Sequence, residues 1–264
     1  MNGEPNVLIV GAGPTGLVMA HELAGDGIAC RVVDKSPHRA WSRGGIQDAF
    51  NLAWKLSHVI NGAAGAQLLD SYEAERKPVD KAVIRQTDRA TRLVSLHGTI
   101  GRFVRDHLMS LLSRLPGSEE RIGEGLSGIA VNYRRSPIVE EHGSVMAGPT
   151  AGDRAPDAAV ADANGRPLRL YDLFAEHRHT LLLLGGSEAP KIALPRDVAV
   201  HRIAAPSAAD GSLLDRDGAV AAQYGSAPAA YLIRPDGYVG LHCAANAVAA
   251  LLPRHFDRLS GAPG

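Results

Sequence analysis

A glycine-punctuated turn at the end of an apolar run constrains this chain more than any other feature. Residues 7–17 read VLIVGAGPTGL, in which the apolar run Val7–Val10 precedes the pattern GxGxxG. Such a run is typical of a strand buried on both faces of a parallel sheet. Gly11 permits a tight turn, Gly13 lets the backbone approach a phosphate, and Gly16 lets the following helix pack close to the strand. The segment therefore predicts the start of a dinucleotide-binding βαβ unit.

The residues that follow supply the context that a GxGxxG pattern needs. The spacing predicts a helix over 17–24 and a second strand over 29–33, and Asp34 stands at the end of that strand. Asp34 follows Gly11 by 23 residues, near the roughly 20-residue offset at which an acidic residue bonds a ribose hydroxyl. The alternative is an ordinary βαβ unit whose glycines only shape a turn.

Four segments of the N-terminal half resemble those of one known family. They read GAGPTGL at 11–17, VVDKSPHRAWSRG at 32–44, GGIQDAFNLAWKL at 44–56 and YEAERKPV at 72–79. Together they are similar to the FAD-dependent aromatic hydroxylases, the class A flavoprotein monooxygenases that act on phenols, polyketides and rifamycin-type substrates. In that family a long stretch with the substrate-binding sheet separates SRG from GIQDAFNLAWKL. Here Arg43 runs almost directly into Gly44-Gly45, so the central substrate-binding portion is missing.

The resemblance implies FAD as cofactor, NADPH as reductant and an aromatic small molecule as substrate. Because the middle is missing, we expect FAD to be bound weakly or not at all. Arg43 matches a family arginine near the FAD diphosphate, and a solvated loop arginine is an equally weighted interpretation. No catalytic residue is predicted. The candidate cofactor-binding residues are Gly11, Gly13, Pro14, Thr15, Gly16, Asp34, Lys35 and Arg43.

The rest of the chain predicts further helices and a second α/β domain. Helical spacing covers 46–60, 67–96 with Pro78 kinking or restarting the helix, and 100–115. In the second of these helices we expect Glu73, Glu75, Arg76 and Lys77 to form surface pairs rather than a catalytic set. The region that begins GDRAPD at 152–157 alternates strands with helices and later reads LIRPDGYVG at 232–240, in which Arg234-Pro235-Asp236-Gly237 predicts a hairpin turn. It resembles the thioredoxin-like C-terminal domain of many aromatic hydroxylases, but it lacks CxxC, which favours a packing or dimer-forming role.

The predicted fold class is α/β. A truncated Rossmann-like FAD-binding βαβ unit with helices (1–130) precedes a linker (131–149) and a thioredoxin-like α/β domain (150–264). In intact relatives the strand Val7–Val10 is central, and here it keeps one predicted neighbour. An apolar strand with an open edge recruits another strand. We therefore expect it to pair with a second chain or with the thioredoxin-like sheet, and we expect a homo-oligomer.

Composition excludes several classes of function. The 264 residues carry 28 basic and 28 acidic side chains, a balance that argues against nucleic acid or an anionic membrane as a partner. No apolar run approaches the ~18 residues of a membrane span, and the polar start MNGEPN makes the cytoplasm the expected location. The histidines show no metal-ligand pattern, and no serine has a GxSxG setting.

Two functional hypotheses remain open, and the sequence leaves it uncertain whether the chain is an enzyme. The first is an FAD-binding oxidoreductase of the aromatic-ring hydroxylase family whose turnover depends on a partner chain. The second is a non-enzymatic remnant that acts through oligomerisation or interaction. A gene-model or annotation deletion is a third explanation for the missing middle.

Overall fold

The N-terminal βαβ unit forms as predicted. A computed structural model describes residues 6–34, 45–94, 131–143, 148–174, 177–185, 194–195, 198–204 and 212–261 of this protein. Strand β1 spans Val7–Val10, helix α1 Pro14–Gly25 and strand β2 Cys30–Val33. The two strands are parallel, with Val7 opposite Cys30 and Val10 opposite Val33.

The prediction that β1 is buried on both faces is wrong. Ile9, Leu23 and Ile28 form a small core on the side covered by α1, whereas the side chains of Leu8 and Val10 are 61% and 80% exposed. The physical reason is that, within the described residues, β1 and β2 form a two-stranded sheet, and the helices described there pack against the face that carries Ile9. The same topology makes the expected pairing of β1 with the C-terminal sheet wrong, while pairing with a second chain stays a prediction.

Two long helices follow this unit. Helix α2 spans Gly45–Ile60, a 3₁₀ turn covers Ala66–Leu69, and α3 spans Asp70–Val94. Helix α3 continues through Pro78, so the predicted restart of the helix does not occur there. A proline inside a helix removes one backbone hydrogen bond. The predicted helix over 100–115 lies outside the described residues.

The C-terminal region is built on one mixed sheet. Its strands are β3 (Glu140–Glu141), β4 (Ala159–Ala161), β5 (Pro167–Arg169), β6 (His179–Leu184), β7 (Val198–Ala204), β8 (Leu213–Leu214), β9 (Ala229–Ile233) and β10 (Val239–Ala244). The helices are α4 (Leu170–Phe174), α5 (Ala219–Tyr224) and α6 (Val248–Ser260), the last preceded by a 3₁₀ turn at Ala245–Ala247. The strand order is β3-β10-β9-β6-β7-β8-β4-β5.

The centre of this sheet has the thioredoxin-like arrangement that the sequence predicts. Strand β6 pairs with β7 in parallel and with β9 antiparallel, and β10 pairs with β9 antiparallel. The predicted hairpin at Arg234–Gly237 joins β9 to β10, and Gly237 has φ of 81°, as a turn glycine tolerates. Alternate residues of β6 face two cores: Leu182 and Leu184 belong to one and Leu181 and Leu183 to the other.

The segment predicted as a linker contributes to this sheet. Within it β3 pairs in parallel with β10, where Leu241 lies opposite Glu140. Tyr133 and Ile138 are 3% and 7% exposed, so the described part of this segment is packed. The division into 1–130, 131–149 and 150–264 remains a prediction.

Candidate functional site

The glycine loop between β1 and α1 has the geometry of a phosphate cradle. Gly11 has φ of 114°, a conformation that side-chain-bearing residues rarely adopt. Gly13 is the extended residue before α1, and Pro14 is the first residue of that helix. A Cβ on Gly16 would lie 1.9 Å from the Gly11 carbonyl oxygen. The close approach of helix and turn therefore requires glycine at position 16.

The first turn of α1 is open to an anion. The N-cap residue, Gly13, provides no side-chain cap, and the first turn contains no acidic residue. The first backbone N–H groups of a helix have no partner within the helix and carry partial positive charge. A phosphate placed over Gly13, Thr15 and Gly16 would accept hydrogen bonds from these amides.

Asp34 stands beside this loop. Its Oδ2 accepts a hydrogen bond from the Ala12 amide, and the Gly11 amide donates to the Val33 carbonyl at 2.7 Å. The structure therefore brings together six predicted site residues, namely Gly11, Gly13, Pro14, Thr15, Gly16 and Asp34. Lys35 and Arg43 lie outside the described residues, as does Arg39, another arginine of the same connector.

A second helix N-terminus meets the same loop. A Cβ on Gly45, the first residue of α2, would lie 2.0 Å from Thr15 Oγ1. Helix α2 therefore begins in contact with the turn that opens α1. Two helix N-termini at one place strengthen the local preference for negative charge.

A buried ion network fixes α2 and α3 to the C-terminal hairpin. The Arg234 guanidinium donates to both Glu75 carboxylate oxygens, at 2.6 and 3.1 Å. Lys55 Nζ lies 2.7 Å from Glu75 Oε2, and the side chains of all three residues are at most 1% exposed. Asn51 Nδ2 donates to Glu75 at 2.6 Å and to Asp236 at 3.0 Å. Opposite charges thus neutralise one another where water is excluded.

The pKa values of this network follow from its geometry. Burial would raise the pKa of Glu75, but Arg234 and Lys55 outweigh it and hold that pKa far below its usual range. Burial, followed by the nearby Arg234 charge, lowers the pKa of Lys55 to about 8. Glu75 is therefore ionised across the physiological range.

The network corrects one sequence interpretation and confirms another. The expectation that Glu75 and Arg76 form surface pairs is wrong, because Arg76 is buried against Asp48 and the Tyr133 hydroxyl. The Glu73–Lys77 surface pair is confirmed. Sequence reasoning missed Lys55 as a buried cation. The sequence signal that could have revealed this cation is a charged residue that directly follows Trp54 in an otherwise apolar part of α2.

The described residues offer neither a metal cluster nor a membrane span. No group of three or more histidine, cysteine, aspartate or glutamate side chains there is arranged to hold a metal ion. Within the same ranges, no helix combines the length and apolar character needed to cross a membrane.

Two protein families match most of the chain. The FAD binding domain family matches residues 4–42 and 42–87, two pieces that meet at residue 42. The family described as aromatic-ring hydroxylase, C-terminal, matches residues 148–263.

Individual relatives agree with these families. The chain is 37% identical over 145 residues to pentachlorophenol 4-monooxygenase of Sphingobium chlorophenolicum, covering 55% of this chain and 25% of that protein. It is 35% identical over 205 residues to 6-methylpretetramide 4-monooxygenase of Streptomyces rimosus, covering 74% and 37% respectively. Among solved structures, the OxyS anhydrotetracycline hydroxylase from Streptomyces rimosus has a TM-score of 0.60 at 28% identity, covering 83% of this chain and 41% of that one. The chain thus spans about a quarter to two fifths of the length of these proteins.

Proposed function

The chain belongs to the family of FAD-dependent aromatic-ring hydroxylases, and on that premise we propose that it binds FAD by the adenosine diphosphate end of the cofactor. The observation that carries this proposal is the convergence of an uncapped helix N-terminus, a glycine cradle and an acidic residue at one place. These are the three elements that recognise a dinucleotide pyrophosphate and its ribose.

Each part of the site has a distinct role in this proposal. The amides of Gly13, Thr15 and Gly16 hold the pyrophosphate, and the missing side chains at Gly11 and Gly16 let the cofactor and the helix approach. Asp34 accepts hydrogen bonds from a ribose hydroxyl. Lys35 and Arg43, assigned by resemblance alone, would add positive charge at the diphosphate.

The chemistry of turnover belongs to the cofactor. When bound, FAD reduced by NADPH supplies the activation of dioxygen for hydroxylation of an aromatic ring. The protein must then hold the ring of the substrate beside the flavin and exclude water. Because this chain spans less than half of its relatives, we propose that turnover on an aromatic substrate requires a second chain to complete the site.

A second candidate function is that of a non-enzymatic interaction protein. The observation that favours it is the bare face of the β1–β2 sheet, where Leu8, Val10 and Val33 are exposed. Exposed apolar side chains grouped on one sheet face are typical of an association surface. A protein that acts through this surface would not require the loop amides to hold a diphosphate.

Flavin and ADP binding distinguish the two functions. The absorption spectrum of the purified protein is recorded, and the protein is then titrated with FAD and with ADP by calorimetry. We expect ADP to bind and FAD to bind weakly, and we expect Gly13→Asp to abolish binding of both because it places a carboxylate against the phosphates. The matched control is Asn61→Asp, which adds a carboxylate at an exposed residue just after α2.

Each outcome has a definite meaning. ADP binding without FAD binding would show that the phosphate cradle works but the flavin end lacks its pocket. Binding of neither ligand would overturn the proposal and favour the interaction protein. If FAD binds, oxidation of NADPH with and without added aromatic compounds tests turnover.

A further inference from the structure

A cleft separate from the glycine loop lies between α2 and the C-terminal hairpin. Its volume is about 230 Å³, below the roughly 300–1,000 Å³ of pockets for drug-sized ligands. This volume suits a molecule of one or two rings. Five of the eleven lining residues are aromatic, namely Phe50, Tyr133, Tyr171, Phe174 and Tyr238.

The aromatic wall is arranged to accept a flat molecule. Tyr133 and Tyr238 are packed with ring centroids 4.3 Å apart and are 3% and 4% exposed, so they form a rigid floor. Phe50 and Tyr171 are each 40% exposed and stand where a ligand would enter. Aromatic faces favour offset or edge contacts with another ring.

One cation on this wall lacks a carboxylate partner. Arg154 Nε donates to the Tyr171 hydroxyl at 3.3 Å, and its guanidinium carbon lies 5.8 Å from the centre of the Tyr171 ring. Within the described part of the chain Arg154 makes no ion pair, in contrast to Arg134 and Arg169, which pair with Asp153 and Asp157. A half-buried guanidinium without a counter-ion favours an anionic ligand.

The carboxylate of Asp236, which also lines the cleft, does not oppose the binding of an anion there. Asp236 accepts hydrogen bonds from Arg234 at 3.0 Å and from Asn51 at 3.0 Å, so its charge is already compensated. Arg154 would also repel a cationic ligand, which argues against the use of these rings as a cage for an ammonium group. We propose that this cleft binds a small planar aromatic anion, such as an aromatic carboxylate, with the ring on the aromatic wall and the anionic group on Arg154.

The cleft and the glycine loop are connected through one helix. Gln47, Phe50 and Asn51 line the cleft, and Gly45 at the start of the same helix contacts the loop. At 1.5 Å of rise per residue, these positions lie roughly 3–9 Å along the axis from that contact. The two sites are neighbours but use different residues, so occupation of the cleft does not require FAD.

The test measures binding of 2-naphthoate, whose fluorescence reports its environment, to the full chain. We expect saturable binding, with Arg154→Gln weakening the affinity by at least about tenfold because a charge-assisted hydrogen bond is lost. The matched control Arg169→Gln, which removes an exposed arginine of the same domain, should leave the affinity unchanged. The uncharged analogue 2-naphthamide should bind the unmodified protein at least tenfold more weakly than 2-naphthoate does.

The comparison of the two probes on the unmodified protein keeps the proposal testable even if Arg154→Gln fails to fold. Saturating ADP should not displace 2-naphthoate, which separates this site from the phosphate cradle. The proposal is overturned if 2-naphthoate does not bind saturably, if the amide binds equally well, if a folded Arg154→Gln keeps full affinity, or if ADP competes.

Discussion

At the scale of single residues, the carboxylate of Glu75 accepts hydrogen bonds from Arg234, Lys55, Asn51 and Ser136. Two of these donors are cations that have almost no contact with water. A buried ion pair adds little net stability compared with apolar packing, but removal of one partner leaves an uncompensated charge. Loss of the negative charge of Glu75 therefore affects all four of these donors at once.

The change Glu75→Gln tests this reasoning. It keeps the size of the side chain but leaves Lys55 without its carboxylate partner and Arg234 paired with Asp236 alone, so we expect a loss of about 3–5 kcal/mol in the free energy of unfolding. Urea unfolding followed by circular dichroism measures it. The control is Glu73→Gln, two residues earlier on α3, where an exposed pair with Lys77 should contribute little.

The loss of unfolding free energy in Glu75→Gln should become smaller as the pH falls. The pKa of Glu75 is lowered in the folded protein, so its contribution is present above the unfolded value of about 4.3. It is lost progressively as the pH falls below that value toward the folded pKa. The difference between Glu75→Gln and the unmodified protein should therefore shrink on acidification below about pH 4, and an unchanged difference would contradict this account.

At the scale of elements, the bare face of the β1–β2 sheet suggests self-association. Parallel sheets are normally covered on both faces, but here Leu8 and Val10 are largely exposed, and β1 also has an edge that β2 does not use. We expect sedimentation to show a concentration-dependent dimer, which Val10→Lys converts to a monomer because charge opposes strand pairing. Ser260→Lys, an exposed change at the end of α6, is the control. A protein that stays monomeric over the whole concentration range would refute the prediction.

Sequence reasoning succeeded at this scale where the signal is local. The strand-turn-helix at 7–24, the helix of α2 and the turn at 234–237 each depend on residues that are adjacent in the chain. The two-residue strand β3 carries no periodic pattern, and its position is set by pairing with β10 a hundred residues away. The same holds for the contact of Glu75 with Arg234, which are 159 residues apart. The exposure of Leu8 and Val10 was missed because an apolar run alone does not reveal which faces of a strand other elements will cover.

At the scale of the whole molecule, the N-terminal helices and the C-terminal sheet share polar contacts. Asn51 and Glu75 bond to residues of the β9–β10 hairpin, and Arg76 donates to Tyr133 at 3.0 Å. Trp54 and Leu68 share an apolar cluster with Ile138 and Leu259. An N-terminal unit with a two-stranded sheet has a thin core of its own, so these contacts supply much of its stability.

This dependence predicts that the chain unfolds as one cooperative unit. Calorimetry of the unmodified protein should give a single transition whose calorimetric and van't Hoff enthalpies agree. In Arg234→Met the hairpin loses its ion pair with Glu75, whose buried carboxylate keeps Lys55, Asn51 and Ser136 as donors. The transition should then split, with the N-terminal helices melting first. Arg169→Met, at an exposed arginine of the same sheet, should keep one transition with nearly the original Tm. Two transitions in the unmodified protein, or a single unshifted one in Arg234→Met, would mean that the two parts are stable independently and that α2 and α3 do not need the C-terminal sheet.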